Sequence, residues 1–179
     1  MNRFIFCMLM VNITVFCSGC LNHPSTNSYT PENTFHKLVE HYPYISIAKP
    51  DFSSAVIEIK DINYVRYGDR ELKLDLYLPA LNIGVKRPAI LFIHGGGWRS
   101  GYRTNFTPFA VAMAKRGYAA ATISYRLSDE ALYPAAIHDA KAAVRWLRLN
   151  AEKYEIDADK IAVAGGSAGG QIASLVGVT

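Results

Sequence analysis

Three short runs almost free of polar residues, A-I-L-F-I-H (89–94), A-A-A-T-I-S (119–124) and I-A-V-A-G (161–165), are separated by two stretches of helical character. Apolar runs of five or six residues read as strands covered on both faces, as in a parallel sheet. Between the first two, residues 106–116 suit a short helix stopped by Gly117. Between the second and third, Pro134 opens a longer helix with Ile137, Ala140, Val144, Leu147 and Ala151 at spacings of three and four. D-A-D-K (157–160) leads into the third strand. Alternation of this kind predicts an α/β fold with a mostly parallel central sheet, right-handed crossovers and helices on both faces.

Ahead of this core lies a different pattern. A-V-I-E-I-K-D-I (55–62) is rich in β-branched residues, Y-G-D-R (67–70) is a turn, and L-K-L-D-L-Y-L (72–78) alternates strictly before Pro79. The alternation predicts a half-buried strand of a hairpin, Leu72, Leu74, Leu76 and Leu78 facing inward and the other face wet.

The first twenty residues stand apart. M-N-R is followed by thirteen largely apolar residues (4–16) and then C-S-G-C (17–20). That length is short for a bilayer span and suits a secretory leader. Small residues before Cys20 resemble the lipobox of bacterial lipoproteins, in which the cysteine is lipidated; Cys17 departs from the aliphatic residue usual there. A plain cleaved signal and an uncleaved anchor are the other readings. The expected organisation is a leader at 1–19, a polar tether and N-terminal segment at 20–53 with no clear pattern beyond a turn or two of helix, and a folded domain at 54–179. All three cysteines fall in the leader, so the exported body would be held by its core without disulfides. The net charge of +4 is spread along the chain. Without a basic cluster, no nucleic-acid partner is expected. No P-loop or dinucleotide fingerprint is present, and no cofactor or metal is expected.

In open sheets of this type, ligands bind beyond the carboxyl ends of the strands. Two glycine-rich motifs stand at such ends. H-G-G-G-W (94–98) follows the first buried strand; its glycines allow backbone amides to approach a ligand without a Cβ in the way. G-G-S-A-G-G (165–170) follows the third and contains G-x-S-x-G, the pattern of a serine exposed on a strand-to-helix turn. A serine hydroxyl is a poor nucleophile without a base and a site for the developing oxyanion. The pairing of motifs assigns Ser167 as nucleophile. The amide of Ala168 and those of the 94–98 glycines are the candidate donors. The alternative is a glycine-rich turn whose serine merely caps the next helix.

With L-D-L-Y-L-P (74–79), S-Y-R-L (124–127), Y-P-A (133–135), W-L-R (146–148) and D-K-I-A-V (159–163), these motifs resemble the α/β-hydrolase fold. Within it they resemble bacterial esterases and lipases related to hormone-sensitive lipase and to feruloyl and acetyl-xylan esterases. The resemblance covers residues 57–178, and Asp129 departs from the proline common before the glutamate that is Glu130 here. It implies hydrolysis of small-molecule or polysaccharide-linked carboxylic esters through an acyl-enzyme, with Ser167 as nucleophile. Gly96, Gly97 and Ala168 are the implied oxyanion donors, Gly95 in reserve. It also implies that His94 shapes the oxyanion loop and that the triad acid and histidine follow the serine. Both would lie beyond Thr179, so the expectation is an exported or lipid-anchored esterase of which these residues are the N-terminal part, inactive alone. A non-catalytic surface lipoprotein with a vestigial site, and a serine peptidase of the same fold, are the competing readings. Asp139 is expected to serve a local hydrogen bond rather than as catalytic acid.

Overall fold

A computed structural model of the chain describes residues 30–52, 55–81 and 84–179. The leader, Cys20 and the start of the tether lie outside the described residues. In chain order the elements are α1 (Pro31–Leu38), β1 (Val56–Tyr67), β2 (Arg70–Pro79), β3 (Arg87–Ile93), a 3-10 turn (Arg103–Phe106), α2 (Thr107–Ala114), β4 (Ala119–Ile123), α3 (Ala135–Leu149), β5 (Ile156–Gly165) and α4 (Ala168–Val178). Helix α1 begins inside the stretch expected to be tether. The Thr30 side chain accepts from the Asn33 amide at 3.1 Å and Pro31 occupies the first turn, where its missing N–H costs nothing.

The five strands form one sheet in the order β1-β2-β4-β3-β5. The β1–β2 hairpin is antiparallel, and β2 joins β4 antiparallel through Leu74↔Ile123 and Leu76↔Ala121. Strands β4, β3 and β5 are parallel, with Leu91 opposite both Ala121 and Val163. The runs at 89–94 and 119–124 are buried, as their composition requires: β4 is buried throughout and Leu91 and Ile93 are wholly covered.

Helices cover both faces. On one, α3 and α4 pack against Leu72, Leu74, Leu76, Leu91, Ile93 and Ile123, and every residue of the Ile137–Ala140–Val144–Leu147 stripe is buried. On the other, α2 packs Ala110, Val111 and Ala114 against Tyr77, Phe92 and Ala120.

Two expectations are corrected. The second face of β2 is wet only towards its start: the Lys73 side chain is 40% exposed, but Asp75 and Tyr77 are 1% and 0% exposed. The 3-10 turn and α2 lie over them, Arg103 Nε donating to Asp75 Oδ2 at 2.9 Å and Tyr77 Oη lying 3.0 Å from Thr107 Oγ1. Burial pushes the Tyr77 phenol up to about 12. Strand β5 starts at Ile156, earlier than expected, and is only partly buried. Arg87 pairs with Ile156 and Ala89 with Ile161, so D-A-D-K is a bulge within the strand and not a lead-in. Among the described residues β5 is paired on one edge alone, which leaves Ala162 exposed.

Candidate active site

The turn from β5 into α4 sets Ser167 at φ 52°, ψ −119°, backbone that an L-residue adopts at a cost of order 1–3 kcal/mol. Its side chain is exposed and makes no capping bond to α4. The helix start is closed by the backbone, Gly169 N–H donating to the Gly166 carbonyl at 2.9 Å and Gln171 N–H to that of Ser167 at 3.1 Å.

Both flanking glycines of G-x-S-x-G are required by space. A Cβ on Gly165 would strike the Gly169 carbonyl group, and one on Gly169 would strike the carbonyl oxygens of Ile93 and His94. The first turn of α4 therefore lies directly against the end of β3, from which H-G-G-G-W departs. This contact brings the two motifs together.

In that loop, Gly96 (φ 116°), Gly97 (φ 61°) and Trp98 (φ 60°) are all in left-handed backbone. A Cβ on Gly96 would collide with the Ser100 carbonyl, while one at Gly97 meets nothing. The Gly96 carbonyl accepts from Arg99 N–H at 3.2 Å, Ser100 N–H at 3.1 Å and Ser100 Oγ at 3.0 Å. The loop is thus tied through its oxygen. The amides of Gly96, Gly97 and Ala168 have no acceptor among the described residues.

His94 is 2% exposed and holds this loop from beneath. Its Nδ1 lies 2.8 Å from the Gly95 carbonyl, which can only accept, so Nδ1 carries the proton. The ring stacks on Tyr125 at 4.4 Å, and Tyr125 Oη donates to the His94 carbonyl at 3.0 Å. Glycine at 101 leaves room for it, since a Cβ there would collide with Nδ1. Burial lowers its pKa below the ordinary 6.5. The ring supports the loop.

S-Y-R-L supplies more of this scaffold than the sequence disclosed. Ser124 takes Tyr64 Oη on its carbonyl at 2.6 Å, and its hydroxyl lies 3.4 Å from Arg103 Nη1. The Arg126 guanidinium donates from Nη2 to Asp139 Oδ1 at 2.7 Å and lies over the Tyr67 ring at 3.7 Å, and its backbone N–H donates to Asp139 Oδ2 at 2.9 Å. Asp139, fully buried, is the anchor of this strand end. Glu130 pairs with Arg70, which holds its carboxyl below the usual carboxylate range. Arg126 and the Asp75–Arg103 pair were missed as individual residues; Asp75 and Arg126 stand in two of the quoted motifs, while Arg103 lies outside all of them. His138 is exposed beside Asp139, and His36 and His41 are exposed in the N-terminal segment. No group of three or more His, Cys, Asp or Glu among the described residues could hold a metal.

A cleft of about 270 Å³ opens at this edge, lined among others by Gly97, Trp98, Arg126, Tyr133, Gln171 and Ile172. It is bounded by the glycine loop, the approach to α3 and the first turn of α4.

The mixed sheet, the serine turn after β5 and the glycine loop after β3 define an α/β-hydrolase of the esterase class. Residues 74–179 match the BD-FAE family, and the chain belongs to it. Among its relatives in Mycobacterium tuberculosis are the probable carboxylic ester hydrolase LipM and the carboxylesterase NlhH. Each is 36% identical over 121 residues, which cover 66% and 67% of this chain and 28% and 37% of theirs. Among solved structures, esterase 2 of the planctomycete Thermogutta terrifontis is 37% identical with a TM-score of 0.60, over 64% of this chain and 42% of that one. The chain spans 28% to 42% of the length of these relatives.

Proposed function

We propose that this chain carries the nucleophile and oxyanion half of a serine esterase that cleaves carboxylic esters through an acyl-enzyme. The observation that carries the reading is the contact of Gly169 with the carbonyls of Ile93 and His94. It sets an exposed, strained serine beside a loop in which the amides of Gly96 and Gly97 have no acceptor among the described residues.

In the forward step the Ser167 hydroxyl would give its proton to a base while Oγ bonds to the ester carbon. The carbonyl oxygen, then negative, would be held by the amides of Gly96, Gly97 and Ala168, with Gly95 in reserve. The alcohol leaves with a proton returned by the base, and water reverses the sequence on the acyl-serine. Preorganised amides matter because each donor aimed at the oxyanion is worth about 10²–10³ in turnover. None of the described histidines takes the base role: His94 is committed to the loop, and the others are exposed outside the cleft. By family order the acid and the histidine follow the serine in sequence.

From the apolar leader and the lipobox-like C-S-G-C we also propose that the protein is exported, with Cys20 as its lipid-bearing N-terminus. Metabolic labelling with palmitate that disappears on Cys20→Ser is the expected outcome; labelling retained by that variant contradicts it.

Hydrolysis of p-nitrophenyl acetate is the test of the reaction, with the protein expressed at the full length its gene encodes. Turnover should fall about 10⁶-fold on Ser167→Ala, as when a key triad member is lost in the protease example. A proline-containing peptide p-nitroanilide cleaved faster than the acetate would move the assignment to a peptidase.

A further inference from the structure

A larger cavity, about 710 Å³, lies beneath the N-terminal segment, against the α2 face of the sheet. Its volume is within the roughly 300–1,000 Å³ typical of small-molecule sites. Phe35 and Phe52 line it from the N-terminal segment, and Tyr77, Phe106 and Phe109 from the domain, with polar side chains such as Asn105 between them. It reaches Gly95 of the glycine loop, but neither Gly166 nor Ser167 belongs to its walls.

The Phe106 ring stands at that end. A Cβ on Gly166 would sit 3.4 Å from Phe106 Cζ and 4.0 Å from Cε2, and nothing else among the described residues comes within 4 Å beyond its chain neighbours. The residue before the nucleophile therefore faces Phe106 alone, and the cavity faces the same ring. Two further rings hold it in place. Phe92, buried on the strand that leads into the glycine loop, stacks on it at 5.6 Å and 15°, and Phe109 tilts against it at 5.5 Å. The next residue, Thr107, is buried with its Oγ1 3.0 Å from Tyr77 Oη, which ties the backbone on that side. A chain pushed past Gly166 would have to displace a packed ring, and overpacking of that kind is poorly tolerated.

We propose that Phe106 determines the specificity of the ester site. Its ring separates the serine turn from the cavity and so restricts one limb of the ester, acyl or alcohol, to a short chain. The inference rests on the esterase reading for the reaction, and on the cavity and the ring contacts for the selectivity.

The test uses the protein at its full encoded length and compares kcat/KM within two series of esters. p-Nitrophenyl acetate, butyrate and octanoate lengthen the acyl limb; ethyl, butyl and octyl acetate lengthen the alcohol. In one of the two series the native protein should lose about tenfold or more from the shortest member to the longest. Phe106→Ala, which joins the cavity to the site, should raise the long-to-short ratio in that series by about tenfold. Phe106→Leu, which keeps an apolar side chain on Phe92, should raise it by about threefold and carries the test if the alanine variant does not fold. Phe109 also lines the cavity but is 57% exposed and does not reach Gly166, so Phe109→Ala should leave the ratio unchanged. A ratio within one series does not depend on the fraction of protein folded, so lost stability cannot imitate the shift.

A native profile that is level in both series, a ratio that neither Phe106 variant moves, or an equal shift on Phe109→Ala would each overturn the proposal. Turnover that depends on Ser167 but shows any of these results overturns this inference alone. Turnover that survives Ser167→Ala, with a ratio that still responds to Phe106, overturns the serine reading alone. No turnover of any ester overturns both.

Discussion

Glycines that look alike in the sequence differ in what they are for. Gly97 has φ 61° and open space around its Cα, so Gly97→Ala meets backbone strain alone, about 1 kcal/mol. Gly169 is in ordinary helix, yet its Cβ would enter the carbonyls of Ile93 and His94, and alanine there forces α4 off β3. Gly169→Ala should cost about 3 kcal/mol or more. At roughly 2–4 °C per kcal/mol for a chain of this size, thermal melts should separate the two variants clearly. Equal losses would mean that the close approach of α4 to β3 does not hold.

His94 yields a prediction of opposite character, in pH. Burial sets its folded pKa below 6.5, so on acidification the unfolded chain takes up the proton first. The contribution of the neutral ring is complete above about pH 6.5 and declines as the pH falls from there towards the lowered folded value. Melting temperature measured from pH 8 to 5 should be level and then drop for the native chain. With His94→Asn, whose amide can still donate to the Gly95 carbonyl, that drop should be smaller. An identical drop in both would assign it to other groups.

At the scale of elements, the segment after β4 is the organiser. It carries Ser124, Tyr125 and Arg126, which reach Arg103, His94 and Asp139 in turn. Asp139→Ala removes the acceptor for both the guanidinium and the backbone amide of Arg126 and leaves the arginine partly buried without its partner. The expected loss is about 3 kcal/mol, as for breaking a buried pair, read from chemical denaturation. A loss under about 1 kcal/mol would make the pair a surface one.

Much of this scale was legible. Buried runs at 89–94 and 119–124 gave β3 and β4 because composition alone reports burial on both faces, and the three- and four-residue spacing gave α3. Strand β2 was misjudged on one face because Lys73, Asp75 and Tyr77 are polar or amphipathic by type. Only the tertiary position of Arg103 and Thr107 shows that a carboxylate and a phenol there can be satisfied while buried. The bulge in β5 was missed for a similar reason. Asp157 and Lys160 pair locally at 3.0 Å and look like a turn, while the strand continues on both sides of them.

At the scale of the molecule, the fold brings the H-G-G-G-W loop and the serine turn to one edge of the parallel strands, as the general rule for open α/β sheets requires. Both motifs, and the residues Gly95, Gly96, Gly97, Ser167 and Ala168, could be read from the sequence because each encodes its own backbone geometry. The cavity beneath the N-terminal segment could not, because the residues that line it, Phe35, Phe52, Tyr77 and Gly95 among them, are distant from one another in sequence.

The central claim is that Ser167 attacks the ester. Its most direct measurement is intact-mass spectrometry of the protein at its full encoded length, quenched during turnover of p-nitrophenyl acetate, beside its Ser167→Ala counterpart. The account predicts a single acetyl adduct mapped by peptide fragmentation to Ser167. It also predicts that the variant has no adduct, with residual turnover no greater than about 10³–10⁴ over water, the share left to oxyanion binding in the protease example. An adduct on another residue, or turnover unchanged by Ser167→Ala, would contradict it.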